Sequence, residues 1–256
     1  LLFEWAGQQV GAVPPTTMEF DMRQGVEFLD TSSSAFRRWE ALEPTICKVR
    51  RGLFSGSHYI TAANEMRRHT ARPVFLLRSA TEVSELGELR ATLNEILPMI
   101  PTGCELWFET ANEPNHPGAR PGLGDTLMEQ VARYRLLLSE VAANLRRSHP
   151  QVKLVAPGLM PEPGGISAWM VPERGLFDYD GVHIYGAGLE GLMLPARFYA
   201  NPVVTEIGSR SEHRSQAVIA MMGYLAHNWP VAAFVHFAVP EWRGPDGLYT
   251  VTEDDA

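Results

Sequence analysis

Two glutamates stand where apolar segments give way to polar ones. Glu113 follows the apolar segment 105–109, and Glu206 ends the apolar segment 202–206. Two carboxylates that face each other suit cleavage of a glycosidic bond, because one can protonate the departing oxygen while the other attacks the anomeric carbon. Neighbouring carboxylates also repel each other, which drives their pKa values apart and allows them different roles.

Short apolar or β-branched segments alternate with helical patterns along the chain. This alternation is typical of βα units and a parallel sheet. The seven clear segments are 45–50, 73–78, 105–109, 152–156, 181–185, 202–206 and 231–237. An eighth strand is needed near the N-terminus, and we expect it at 8–13.

Helical patterns separate the predicted strands. The clearest runs from 125 to about 147, with Thr126 and Glu129 in the spacing of a capping box. Its apolar stripe recurs at steps of three and four residues and is formed by Leu127, Val131, Tyr134, Leu138, Val141 and Leu145. Shorter stripes begin at Leu86 and Val218.

Eight strands in 256 residues predict one (β/α)8 barrel, a fold that typically needs about 250 residues. We therefore expect a single α/β catalytic barrel over residues 1–256, with a short or absent last helix because the sequence ends soon after strand eight. Glu113 and Glu206 then lie at the ends of strands four and seven. Active sites of such barrels lie at the C-terminal strand ends, where the polar residues are Arg50, Arg51, Arg78, Asn112, Glu113, His183, Tyr185, Glu206 and Trp242.

The ordered set of strand-end motifs resembles the clan-A glycoside hydrolases, which are retaining enzymes on a (β/α)8 barrel. The resemblance covers strands two to eight. It is carried by Asn112-Glu113-Pro114 on strand four, His183-Ile-Tyr185 on strand six, Glu206 on strand seven and Trp242 after strand eight.

The resemblance implies a role for each matching residue. It makes Glu113 the acid/base and Glu206 the nucleophile, and it implies that Asn112 binds the sugar 2-hydroxyl. Tyr185 would hold the nucleophile carboxylate, and Trp242 would form the aromatic floor of the −1 sugar subsite.

Two further residues join the predicted substrate-binding set. His183 lies two residues before Tyr185 on the same strand face, and its alternative role is that of a satisfied core histidine. The resemblance also implies an arginine after strand two, near the nucleophile. Arg50 and Arg51 both fit that position, and Arg50 is preferred. One position departs from the resemblance, because Arg78 ends strand three where several families of the clan place a histidine.

Other assignments of the same residues stay open. Glu109 lies four residues before Glu113 and is interpreted as a buried structural carboxylate, whereas Glu241 is the nearest rival for a catalytic role. A non-catalytic glycan-binding barrel would keep the aromatic residues without needing both carboxylates. A transglycosylase would use the same covalent intermediate as a hydrolase.

Composition limits the partners. A net charge of −8 and a pI of about 5.5 disfavour a nucleic acid partner, and no segment reaches the length of a membrane span. The expected partner is a carbohydrate, with no cofactor and no metal, and further domains outside the chain remain open. Cys47 and Cys104 are expected as free thiols. No signal peptide is recognisable, so secreted and cytoplasmic locations both stay open.

Overall fold

Eight parallel strands close into a barrel in which consecutive strands are neighbours and the last pairs with the first. The computed structural model describes residues 23–28, 31–41, 43–78, 87–115, 124–159, 174–185, 201–208, 233–239, 242–244 and 247–249. The barrel strands are β1 (Arg23–Phe28), β2 (Ile46–Arg50), β3 (Val74–Arg78), β4 (Glu105–Glu109), β5 (Lys153–Leu159), β6 (Tyr179–Tyr185), β7 (Pro202–Gly208) and β8 (Ala233–Val239). An antiparallel pair, β9 (Trp242–Gly244) and β10 (Gly247–Tyr249), follows. The predicted (β/α)8 fold class is confirmed.

The predicted position of the first strand is wrong. The strand that pairs with both β2 and β8 is Arg23–Phe28, whereas 8–13 lies outside the described residues. The sequence of β1 is Arg-Gln-Gly-Val-Glu-Phe, so it lacks the apolar run that identified the other strands. Its buried Glu27 is stabilised by cations of neighbouring strands, which a search for apolar segments does not detect.

Four helices of the described part lie between barrel strands and pack on the outside of the barrel. They are α1 (Ser33–Glu40), α2 (Gly56–Met66), α3 (Leu89–Ile96) and α4 (Leu127–Ser148). The capping box of α4 is confirmed, because Thr126 Oγ1 accepts from Glu129 N at 3.2 Å and a Glu129 oxygen accepts from Thr126 N at 3.0 Å. The stripe from Val218 lies outside the described residues. None of the described helices is both long and apolar enough to cross a membrane.

Two apolar layers form the core. Alternate strand residues such as Cys47 and Val49 point outward and pack under the helices. Cys47 and Cys104 are both free thiols. The inward-facing layer contains Ile46, Val74, Leu76, Trp107, Val155, Val203 and Val235. Because strand side chains alternate between faces, Lys48 and Arg50 continue the inward row of Ile46. The inward row of β2 thus changes from apolar to charged towards the C-terminal end of the barrel, and this charged upper layer forms the site.

Candidate active site

Two carboxylates meet at the C-terminal end of the barrel. Glu206 lies in β7 with 3% of its side chain exposed, whereas Glu113 follows β4 with 20% exposed. One carboxylate oxygen of each residue and one ring nitrogen of His183 lie within 4.8 Å of one another. The two glutamates were predicted at the ends of strands four and seven, and the structure places Glu113 after β4 and Glu206 in β7 with these atoms close together. Their catalytic roles stay predictions.

The backbone around Glu113 is fixed by β5. The Glu113 amide donates to the carbonyl of Gly158 at 2.9 Å, and Asn112 forms an isolated β-bridge with the same glycine. Glu113 has a φ of +42°, which is uncommon for a residue with a side chain and is maintained only by surrounding structure. A Cβ on Gly158 would lie 2.2 Å from the His183 ring, so only glycine allows this close approach.

A bulge in β7 directs Glu206 into the barrel. Val182 pairs with Val204 but His183 pairs with Glu206, so Thr205 is an extra residue in β7. Bulges next to active sites commonly redirect side chains. As a result, two adjacent side chains point into the barrel. Thr205 donates to Glu109 Oε1 at 2.7 Å, and Glu206 contacts Lys48.

A lysine and an arginine hold Glu206. Lys48 Nζ lies 2.8 Å and Arg78 Nη1 lies 3.2 Å from Glu206 Oε1. The strand register brings further charges beside these two cations. Glu27 of β1 pairs with Lys48 of β2, and Arg78 of β3 pairs with both Arg50 and Glu109.

Arg50, which was predicted to lie near the nucleophile, pairs with Glu27 in the structure. Arg50 Nε donates to Glu27 Oε1 at 2.8 Å, and its side chain is 45% exposed. Arg78 contacts the same Glu27 oxygen at 3.0 Å. Among the described residues Arg50 is thus linked to Glu206 through Glu27, whereas Arg78, at the position that departs from the resemblance, contacts Glu206 directly.

His183 lies between three carboxylates. Its Nδ1 is 2.8 Å from Glu113 Oε1 and 3.6 Å from Glu206 Oε2, and its Nε2 is 3.4 Å from Glu109 Oε1. Burial alone would lower the pKa of His183, but the charge of Glu206 and the hydrogen bonds of Glu109 and Glu113 raise the pKa to about 10. The ring is fully buried, as expected of a core histidine, yet it contacts both predicted catalytic residues.

Neighbouring cations favour the ionised forms of Glu206 and Glu109. Burial would raise the pKa of Glu206, but the charges of His183, Lys48 and Arg78 outweigh it and lower that pKa to about 2. Burial likewise opposes ionisation of Glu109, whereas Lys48 and His183 lower its pKa to about 2. The interpretation of Glu109 as a buried carboxylate bonded to its neighbours agrees with its contacts to Thr205, Lys48 and His183.

Within the described ranges, the three side chains Glu113, His183 and Glu206 form the one group with enough ligand atoms in range for a metal ion. The contacts of these atoms favour ion pairing instead. Oε1 of Glu206 already contacts two cations, and a histidine with a raised pKa keeps the proton that a metal would have to displace.

Several predicted residues fall partly or wholly outside the described part. Tyr185 ends β6 and Trp242 begins β9, but the description of these two residues covers only the backbone. Glu241 lies outside the described residues. The roles of Tyr185 and Trp242 therefore stay predictions.

Glu27 and Lys48 are site residues that the sequence analysis missed. Both side chains are fully buried and lie 3.2 Å apart. The available signal was a lysine inside the otherwise apolar run Ile46-Cys-Lys-Val, because an unpaired lysine almost never occupies a buried strand. Such a lysine predicts carboxylates on neighbouring strands.

No family model matches this sequence, and no curated protein matches it either. Solved structures do match. A glycoside hydrolase family 5 cellulase from an Icelandic hot spring isolate has a TM-score of 0.60 at 12% identity, over 88% of this chain and 78% of the cellulase. A mannanase of Bacillus subtilis has a TM-score of 0.58 at 12% identity, over 88% of this chain and 82% of the mannanase.

A third match is a glycoside hydrolase family 30 subfamily 8 xylanase from Clostridium acetobutylicum. Its TM-score is 0.58 at 13% identity, and the match covers 89% of this chain. This chain spans 66% of the length of that xylanase. At such identities the likeness concerns the fold, and the chain has the (β/α)8 barrel architecture that these three glycoside hydrolases share.

Proposed function

We propose that residues 1–256 form one catalytic barrel that hydrolyses O-glycosidic bonds of a β-linked oligo- or polysaccharide with retention of configuration. The observation that carries the proposal is the pairing of Glu113 and Glu206, whose nearest oxygens lie within 4.8 Å. Carboxyl groups of retaining enzymes lie about 5–5.5 Å apart, whereas inverting enzymes need about 6.5–9.5 Å to admit a water. The observed closeness favours retention.

The surroundings of the two carboxylates suit different roles. Glu206 is buried and paired with cations, so it is available as an ionised nucleophile. Glu113 is more exposed and can reach the oxygen that departs towards solvent. Attack of Glu206 on the anomeric carbon forms a glycosyl-enzyme while Glu113 protonates the leaving oxygen. Glu113 then removes a proton from the water that releases the sugar.

Asn112 supports a sugar-binding role for the site. Its side-chain carbonyl oxygen is buried and has no hydrogen-bond partner among the described residues. A buried acceptor without a partner costs free energy, and a sugar hydroxyl donor would satisfy it. Arg50, His183, Tyr185 and Trp242 complete the proposed substrate-binding set around the two carboxylates.

The reaction is tested by following product configuration. Xylan, mannan, cellulose and curdlan oligosaccharides are suitable candidates, because solved structures of similar fold include a xylanase, a cellulase, a mannanase and a curdlan-specific glucanase. Proton NMR during the first minutes should show the β-anomer of the new reducing end before mutarotation. Initial release of the α-anomer would refute retention, and turnover of none of these glycans would favour a glycan-binding barrel.

A further inference from the structure

Lys48 is a lysine fully enclosed by the barrel. Its Nζ lies 2.8 Å from Glu206 Oε1, 3.0 Å from the carbonyl of Thr205, and 3.2 Å from both Glu27 Oε2 and Glu109 Oε2. Burying an ammonium group is costly unless carboxylates surround it. Three strands besides β2 supply those acceptors, so the position of the ammonium group is fixed from several directions.

The two oxygens of Glu206 have different surroundings. Oε1 contacts Lys48 and Arg78 at 2.8 and 3.2 Å. Oε2 faces Nδ1 of His183 at 3.6 Å, and that nitrogen lies closer to Glu113, at 2.8 Å. Oε2 is therefore the oxygen on the side of Glu113, and a sugar ring held between the two carboxylates would meet it first.

We propose that Lys48 is a positioning residue for Glu206: it holds Oε1 and keeps the carboxylate ionised, so that Oε2 is the atom that attacks the sugar. This inference rests on the proposed function. An electron pair of Oε2 forms the bond to the anomeric carbon as the glycosidic C–O bond breaks. The electrons of that broken bond go to the leaving oxygen, which takes the proton of Glu113. In the second step water replaces Oε2 and gives its proton to Glu113.

Lys48 acts on Glu206 together with a defined set of charges. The described groups that face Glu206 are Lys48 of β2, Arg78 of β3, Glu109 of β4, Glu113 after β4 and His183 of β6. Arg78 is 11% exposed and shares its Nη1 with Glu27, whereas Lys48 is fully buried and makes the shorter contact. Among the described cations, removal of Lys48 would leave Arg78 and His183 beside Glu206.

The test is the pH profile of kcat/KM for Lys48→Met. The substrate is whichever 2,4-dinitrophenyl β-glycoside the wild type hydrolyses, from a panel of glucoside, xyloside, mannoside and cellobioside. Free-enzyme ionisations determine this profile, and the wild-type acid limb is expected below about pH 4 because the surrounding cations hold the pKa of Glu206 near 2. Lys48→Met should move the acid limb upward by about one unit or more. Lys153→Met is the matched control, since Lys153 lies on β5 in an exposed ion pair with Asp178.

A second variant covers the case in which Lys48→Met does not fold. Lys48→Met combined with Glu27→Gln removes one cation and one carboxylate, and it should show the same upward shift. An acid limb unchanged in the folded variants, with activity reduced equally at every pH, would mean that Lys48 only supports the fold. A wild-type acid limb at about pH 4.5 or above would also overturn the inference. If the wild type hydrolyses none of the glycosides, the proposed function itself fails. That outcome differs from failure of the Lys48 inference alone, in which the wild type is active.

Discussion

The Nδ1 atom of His183 lies 2.8 Å from Oε1 of Glu113, which joins the proposed acid/base to the charged layer inside the barrel. Nε2 of the same ring lies 3.4 Å from Glu109 Oε1. Because the pKa of His183 is raised to about 10, the ring is an imidazolium in the folded protein at neutral pH. It can therefore donate a proton at Nδ1 to Glu113, while its positive charge also faces Glu109.

The raised pKa of His183 predicts a pH dependence of stability. The pKa is higher in the folded protein than the ordinary 6.5, so the stabilisation is complete below about pH 6.5 and is lost as the pH rises towards 10. His183→Gln should flatten this loss, which is at most about 1.4 kcal/mol per pH unit for one proton. Urea unfolding at several pH values between about 6 and 10 measures this change in the free energy of unfolding. Equal slopes for the variant and the wild type would refute the charged imidazole.

Much of the site could be predicted from the sequence, because the two proposed catalytic carboxylates end or follow apolar segments. Glu113 and Glu206 were identified in that way, and the strand count placed them correctly. Glu27 and Lys48 could not be recognised as site residues, because each is compensated by opposite charges on other strands, including the other's charge at 3.2 Å. The pairing of Arg50 with Glu27 was missed for the same reason, since β1 was not recognised.

The fall in rate caused by removing the proposed acid/base should depend on the leaving group. Glu113→Ala removes the proton donor, so hydrolysis of glycosides with poor leaving groups should fall by about 10²–10⁴. A 2,4-dinitrophenolate departs without protonation, so the first step with that group should be affected little. Pre-steady-state release of dinitrophenol would appear as a burst followed by slow turnover. Uniform loss with both kinds of leaving group would contradict the role of Glu113.

Gly158 should not tolerate a side chain. A Cβ at this position would lie 2.2 Å from the His183 ring and 2.9 Å from Thr205 Oγ1, so Gly158→Ala must displace the ring from Glu113. Overpacking of this kind typically costs about 1–3 kcal/mol, and activity should fall as well. Gly56→Ala is the control, because nothing lies within 4 Å of its added methyl group. Urea unfolding and hydrolysis rates would check both, and unchanged activity in Gly158→Ala would contradict the close packing.

The hydroxyl of Thr205 should be needed to hold Glu109. It donates to Glu109 Oε1 at 2.7 Å in a fully buried setting. Thr205→Val keeps the shape but removes the donor, which should lower the free energy of unfolding by about 1–3 kcal/mol. Thr205→Ser keeps the hydroxyl and should retain most of that contribution. If Thr205→Val cost nothing while Thr205→Ser destabilised the protein, the methyl group rather than the hydrogen bond would stabilise this position.

The most direct test of the central claim is to trap the covalent intermediate. The protein is incubated with a panel of 2-deoxy-2-fluoro glycosyl fluorides, whose fluoride leaves readily while the 2-fluoro group slows release of the sugar. Mass spectrometry of the intact protein and its peptides should show one added sugar, bound to Glu206. An adduct on Glu241, or no adduct on folded protein that hydrolyses the corresponding glycoside, would contradict the assignment of Glu206 as the nucleophile.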